Sequence, residues 1–357
     1  MKTISIDKTD ITNAEVHTKP TPVPNAGEVV ISISQFSFTA NNITYALLGD
    51  SYKYWDFFPF SYSHGVIPVW GFGEVVSSES EGINVGEKIY GYFPMASHLV
   101  IKAGHINPYR FKDEMEHRQH LPAIYNYYMR MDNNPNYQER LDYPFMIFMP
   151  LYATSFLLAA YLNEENNFGA KQLFLTSASS KTAIALAHLM ALNQEIEIIG
   201  LTSSRNADFV ESLGCYQKVR TYEEVENLDN SKKSTIIDFA GDKELVAKVQ
   251  SMLIPEVVST LIVGASHWDK VGTKGISFPA KAEVFFAPTH AQKRQEEWGN
   301  REYNQRLTSK MYPFLEWSMK WMEVKNVSGE EDVLRTYREV LDGKSNPKEG
   351  IFMRIID

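Results

Sequence analysis

Between Lys171 and Met190 a short apolar run, Gln172-Leu-Phe-Leu175, gives way to the small residues Thr176-Ser-Ala-Ser-Ser180 and then to Lys181-Thr-Ala-Ile-Ala-Leu-Ala-His-Leu-Met190. A strand that turns through small polar residues straight into a helix must pack as one βα unit, which restricts the fold severely. A second apolar run, Glu197-Ile-Ile-Gly-Leu-Thr202, follows and ends in Ser203-Ser204-Arg205, with neither Asp nor Glu. This spacing outlines a dinucleotide-binding βαβ unit. A strand end bearing Ser and Arg in place of an acid favours a 2′-phosphate, hence NADP(H) over NAD(H).

The alternation extends on both sides. A helix is expected over 151–163, another around 207–213, a strand over 234–239, a helix over 243–253 and a strand over 259–264. Strands separated by helices imply a parallel sheet. The first hundred residues have a different rhythm. Glu28–Phe38 alternates apolar and polar, Val69–Val76 carries two glycines that suggest a bulge or a close backbone approach, and strands follow within 82–92 and 97–102. These read as a small barrel. Residues 105–146, with Tyr125-Asn-Tyr-Tyr128, read as an aromatic insertion packed over a cleft. Past Phe285 the chain turns polar and charged, then closes with a helix over 331–341 and a strand over 350–356.

Composition narrows the function. A net charge of −9 without a Lys/Arg cluster disfavours nucleic acid and membrane surfaces as partners. One cysteine, Cys215, excludes an intrachain disulfide and a thiolate zinc site. No signal-like N-terminal core and no apolar run of membrane-spanning length is evident, so a reduced, cytoplasmic setting is expected. The turn at Ser179–Thr182 lacks both glycines of a phosphate-binding Walker loop, which sets nucleotide hydrolysis aside.

Several segments together resemble the medium-chain dehydrogenase/reductase superfamily, in its zinc-independent quinone and enoyl reductase branch. They are Asn41-Asn-Ile-Thr-Tyr-Ala-Leu-Leu-Gly49, Pro68–Val76, Val85-Gly-Glu-Lys-Ile-Tyr-Gly91, Thr176–Ala183, Asp238-Phe-Ala-Gly-Asp242 and Ile262-Val-Gly264. The resemblance implies an α/β protein: a GroES-like β-barrel domain (1–149 and 281–357, with the insertion 105–146) and an inserted Rossmann-type doubly wound parallel sheet (150–280). Zinc-dependent members carry Gly-His-Glu where this chain has Gly71-Phe72-Gly73, so the implied chemistry needs no metal. The resemblance also implies a homodimer through the sheet edge near Leu261 and a small-molecule substrate.

The candidate cofactor-binding residues are Ser179, Ser180, Lys181 and Thr182 at the pyrophosphate, Ser203 and Arg205 at the 2′-phosphate, and Gly264 and His267 beside the nicotinamide. Asn41, Tyr45 and Tyr52 lie on the stretch that lines the substrate pocket in the resembling branch, where a phenol or amide N–H would stabilise an enolate oxygen. The expected activity is NADPH-dependent reduction of an activated double bond or quinone-like carbonyl, with the cofactor between the two domains and the aromatic insertion as a lid. Two alternatives share the fold: an NADP(H)-binding protein with little or no turnover, and a non-redox lyase or retro-aldol enzyme.

Overall fold

The computed structural model describes residues 1–191, 196–263 and 277–356. By compactness the chain divides into two units, Met1–Ile147 with Glu323–Asp357, and Phe148–Met322. The return to the first unit thus falls at Glu323, well past the expected position 281.

The first unit opens with β1 (Lys2–Asp7), β2 (Ala14–Thr18) and β3 (Glu28–Phe38), then α1 (Ala40–Leu47), β4 (His64–Gly65), β5 (Pro68–Ser78), β6 (Lys88–Pro94) and β7 (His98–Gly104). β8 (Arg110–Asp113) and β9 (Tyr127–Arg130) come next. Strands β3, β5, β6, β9, β8 and β7 pair in that order, and β7 pairs back onto β3, so the sheet closes on itself. A smaller sheet, β2-β1-β4, lies beside it in sequence. The two glycines of β5 serve close packing. A Cβ at Gly71 would sit 2.4 Å from the Gln35 carbonyl, next to a register shift between Ile33 and Gln35.

Here the structure corrects the sequence reading. Residues 105–146 are not an insertion laid over a cleft, because they supply two of the barrel's own strands. Their connection is pinned by Arg118, which is fully buried. Its guanidinium donates to the Asp113 carboxylate at 3.0 Å, the Tyr128 hydroxyl at 2.8 Å, Asn126 Oδ1 at 2.9 Å and the Tyr125 carbonyl at 2.7 Å. A buried charge requires this degree of pairing.

The second unit is an α/β layer structure. It contains most of α2 (Asp142–Glu164), then β10 (Gln172–Leu175), α3 (Lys181–Met190), β11 (Glu197–Thr202), α4 (Ala207–Ser212), β12 (Lys218–Thr221) and β13 (Ser234–Asp238). α5 (Lys243–Leu253), β14 (Val257–Ile262), β15 (Glu283–Val284) and α6 (Ala287–Ser318) complete it. The parallel sheet runs β12-β11-β10-β13-β14-β15. Numbered from its first strand this is 3-2-1-4-5-6, the doubly wound order, with its reversal between β10 and β13. Leu261 pairs with Glu283, so the sheet edge expected there for a second subunit is already covered by β15.

α2 also corrects an expectation. The segment Glu139–Glu164 is long and apolar enough, by length and composition, to cross a membrane. Two thirds of its apolar window is buried inside the protein, as a core helix requires. Tyr152 of α2, for instance, packs on Phe314 of α6 with ring centroids 4.9 Å apart. α6 is two helical stretches joined at Gly299, whose φ of 77° breaks the helix. The chain then returns through β16 (Glu323–Ser328), α7 (Glu330–Leu341) and β17 (Glu349–Arg354), with β16 parallel to β17 and β17 antiparallel to β3.

Candidate functional site

Two arrangements carry the candidate chemistry, one in each unit. In the second unit, β10 is buried along its whole length and ends at Leu175, and Thr176 follows it at the point where the strand order reverses. The turn that follows has no glycine. Ser177 takes the left-handed conformation instead (φ 49°). The strain is held by neighbours: the Ser177 N–H donates to the Tyr222 hydroxyl at 3.1 Å, and the Ser180 N–H donates to the Ser177 carbonyl at 2.7 Å. Ser180 is the N-cap of α3, its hydroxyl accepting from the Ala183 N–H. Lys181 and Thr182 begin the helix, half-buried, and the Thr182 N–H has no acceptor among the described residues.

Asp238, at the end of β13, fixes this turn from the other side of the reversal. The Thr176 hydroxyl donates to its carboxylate at 2.6 Å, and the Ala240 and Gly241 N–H groups donate at 3.1 and 3.0 Å. Burial pushes the Asp238 carboxyl up to about 6 despite these donors. Its role is to tie two strand ends together.

Ser203 and Arg205 follow β11 in a short turn, Ser203 half-buried and Arg205 exposed. The neighbouring Asn206 amide donates to the Ser179 hydroxyl at 3.1 Å and so brings this turn to the one after β10. A Cβ at Gly200 would meet the Ala178 Cβ and the Tyr216 ring at 2.9 Å, so only glycine lets β11 approach this closely. The Tyr216 hydroxyl donates to the Ala178 carbonyl at 2.8 Å. The sequence reading missed Gly200, Asn206, Tyr216 and Tyr222, whose partners lie too far along the chain for spacing to reveal. Gly264 and His267 lie outside the described residues. Hydroxyls, a lysine and a helix N-terminus gathered at a sheet's switch point form a donor set suited to the phosphates of a dinucleotide.

In the first unit, α1 is opened by a capping box between Thr39 and Asn42, and the Asn42 amide donates to the Pro68 carbonyl at 3.0 Å. This fixes Tyr45, one turn on, inside a set of rings. Tyr45 lies 4.5 Å from Tyr54 and 5.8 Å from Tyr92, and Tyr92 lies 4.9 Å from Trp70 and 4.8 Å from Tyr125, all between centroids. Burial raises the Tyr45 phenol, and contacts from Trp70, Asn41 and Tyr92 oppose the rise without cancelling it. At neutral pH Tyr45 is therefore a neutral O–H donor. The structure brings Asn41 and Tyr45 together, while Tyr52 is exposed and stacks on Tyr54 at 6.5 Å. Trp70, Tyr92 and Tyr125 come from three separated segments, and no local signal marks them.

Among the described residues no group of three or more His, Cys, Asp or Glu side chains could hold a metal ion. Cys215 is buried and its thiol is pushed up to about 12, which disfavours the reactive thiolate.

A closed barrel joined to a doubly wound parallel sheet is the fold of the medium-chain dehydrogenases and reductases. Within that fold the chain belongs to the family described as protein of unknown function (DUF2855), whose model matches residues 36–346. It is similar in structure to CurA from Vibrio vulnificus in complex with NADPH (TM-score 0.65, 13% identity, covering 100% of both chains). It is similar also to the yhdH oxidoreductase from Salmonella enterica in complex with NADP (TM-score 0.56, 12% identity, 100% of both chains). The quinone oxidoreductase from Coxiella burnetii gives a TM-score of 0.54 at 16% identity, over 100% of this chain and 99% of that one. No curated protein matches the sequence.

Proposed function

We propose that this chain is an NADPH-dependent oxidoreductase that reduces an activated double bond or a quinone-like carbonyl without zinc. The observation that carries the reading is the glycine-free turn between β10 and α3, seated at the reversal of the strand order. Solved proteins of the same fold bind NADPH or NADP, and one is an oxidoreductase of quinones, which supports the assignment. NADPH, when bound, supplies the hydride. Ser179, Ser180, Lys181 and Thr182 would hold the pyrophosphate, and Ser203 and Arg205 would hold the 2′-phosphate. The Tyr45 phenol, with Asn41 beside it, donates to the substrate oxygen as negative charge develops there, and Tyr52 borders the approach. The partner is a small molecule.

The test is a fluorescence titration with NADPH and with NADH, followed by NADPH consumption against a panel of enones and quinones. Preferred binding of NADPH with turnover of at least one acceptor is the expected result. Failure to bind either nucleotide removes the reading. A second reading, nucleotide binding without turnover, draws on the Ser177 N–H, which is already engaged by Tyr222 where a glycine-rich turn would offer its backbone to phosphate. Tight binding with no acceptor turned over would select it.

A further inference from the structure

The ring cluster of the barrel unit contains poorly paired donors. The Trp70 indole N–H and the Tyr92 hydroxyl are both buried and neither has a well-formed hydrogen bond among the described residues. Tyr92 itself is fully buried. Trp70 and Tyr92 are directly opposed across β5 and β6, so their polar atoms are held on one side of one strand pair. Both lie close enough to the Tyr45 hydroxyl to act on its titration. The Tyr45 oxygen is the acceptor that both face, and neither donor reaches it in good geometry. An unpaired buried donor costs free energy in the folded protein, and an acceptor oxygen placed among the three would relieve that cost. The surrounding walls are flat: Tyr54 packs on Tyr45, Tyr125 on Tyr92 and Phe57 on Tyr92, the last edge to face at 5.2 Å. Trp70 and Tyr125 are only half-buried, so the cluster reaches the surface through them.

We propose that this cluster is the substrate subsite and that it takes a planar aryl ketone, aryl enone or quinone, whose oxygen accepts from the Trp70 N–H and the Tyr92 hydroxyl as well as from Tyr45. The proposal rests on the reductase reading and narrows it to aromatic acceptors. Aromatic rings stack on the tyrosines, and an aliphatic enal of the same reactivity gains nothing from those faces. Trp70 and Tyr92 add two fixed donors to the oxygen that becomes negative.

4-Nitrophenolate serves as the probe, because it pairs a flat ring with a negatively charged oxygen and needs no cofactor. Binding to the full chain is followed by its visible absorption, without NADPH, for the unmutated protein, Tyr92→Phe and Trp70→Phe. The unmutated protein binds it, and each variant binds at least tenfold more weakly, as loss of one hydrogen bond to a charged oxygen requires. Thermal unfolding of Tyr92→Phe stays level or moves upward, since the deleted hydroxyl had no well-formed hydrogen bond to lose. A fall in its unfolding temperature means that the hydroxyl was a structural bond, and overturns the proposal. Equal affinity in both variants, or no binding by the unmutated protein, also overturns it. Phenolate bound in this way by a chain that ignores NADPH would sink the reductase reading and leave the subsite standing. NADPH-driven reduction of enones unaffected by either variant would do the reverse.

Discussion

The turn after β10 and the ring cluster around Tyr45 are built on opposite plans. The turn consists of consecutive residues, Thr176 to Thr182, and works through backbone groups and hydroxyls oriented by a strand end and a helix start. The cluster draws Tyr45, Tyr54, Trp70, Tyr92 and Tyr125 from five separate stretches and works through side chains alone. A site of the first kind tolerates changed sequence so long as its hydrogen bonds are kept, which is how Ser177 can stand where glycine is usual. One of the second kind depends on every wall being in place. The segment that places Tyr125 depends in turn on one buried arginine.

That contrast is tested most severely at Arg118. Replacing it with Met leaves the Asp113 carboxylate buried and unpaired, and about 3–5 kcal/mol of stability should be lost in urea unfolding. A loss below about 1 kcal/mol would mean that the cluster's scaffold does not depend on this pin. Ser180→Asp probes the turn with a smaller but selective effect. Asp is as good an N-cap as Ser, so the unfolding midpoint should hold, while a carboxylate facing phosphate should weaken NADPH binding about a hundredfold. Unchanged NADPH affinity would take the phosphates away from this turn.

Asp238 gives a pH signature. Its carboxyl keeps its proton up to about 6 in the folded protein and loses it at its ordinary 3.8 when unfolded. Its contribution to stability is therefore greatest below pH 4, falls as pH rises to about 6 and is flat above. Asp238→Asn should remove a downward slope of roughly 1–3 kcal/mol across that window, read as the difference between the two urea midpoints at each pH. Parallel pH profiles would show that the carboxyl ionises normally where it ties β10 to β13. The smallest effect is expected at exposed Arg205. Arg205→Ala should cost NADPH about tenfold in affinity and leave NADH unchanged. A variant that still prefers NADPH by the original ratio would move 2′-phosphate recognition elsewhere.

How much the sequence revealed follows the same division. The βα alternation from Gln172 to Leu253 was legible where a strand is a short apolar run bounded by turn residues, but β12, Lys218-Val-Arg-Thr221, is not such a run and was missed; β3 and β5 to β7 were legible from alternation and glycine turns. β8 and β9 were not. Arg110–Asp113 and Tyr127–Arg130 are four residues each, too short to show a period, and the buried Arg118 between them looks like a solvated charge until its partners are seen. α2 was read short because its first residues, Tyr143-Pro-Phe-Met-Ile-Phe-Met-Pro150, hold two prolines and no polar face. α6 was obscured by charge on most sides and by the break at Gly299. Of the site, the hydroxyl-bearing turn and Tyr45 could be found locally. Trp70 and Tyr92 could not, because only the pairing of β5 with β6 sets them side by side.

The pairing of β17 with β3 has a consequence for how the protein is made. On the ribosome, Phe36-Ser37-Phe38 emerges early, yet the strand that covers it, Ile351–Met353, is translated only after the entire second unit. Throughout that interval an apolar strand margin of the nascent chain has no cover, and slow translation or scarce chaperones should exact their toll there first.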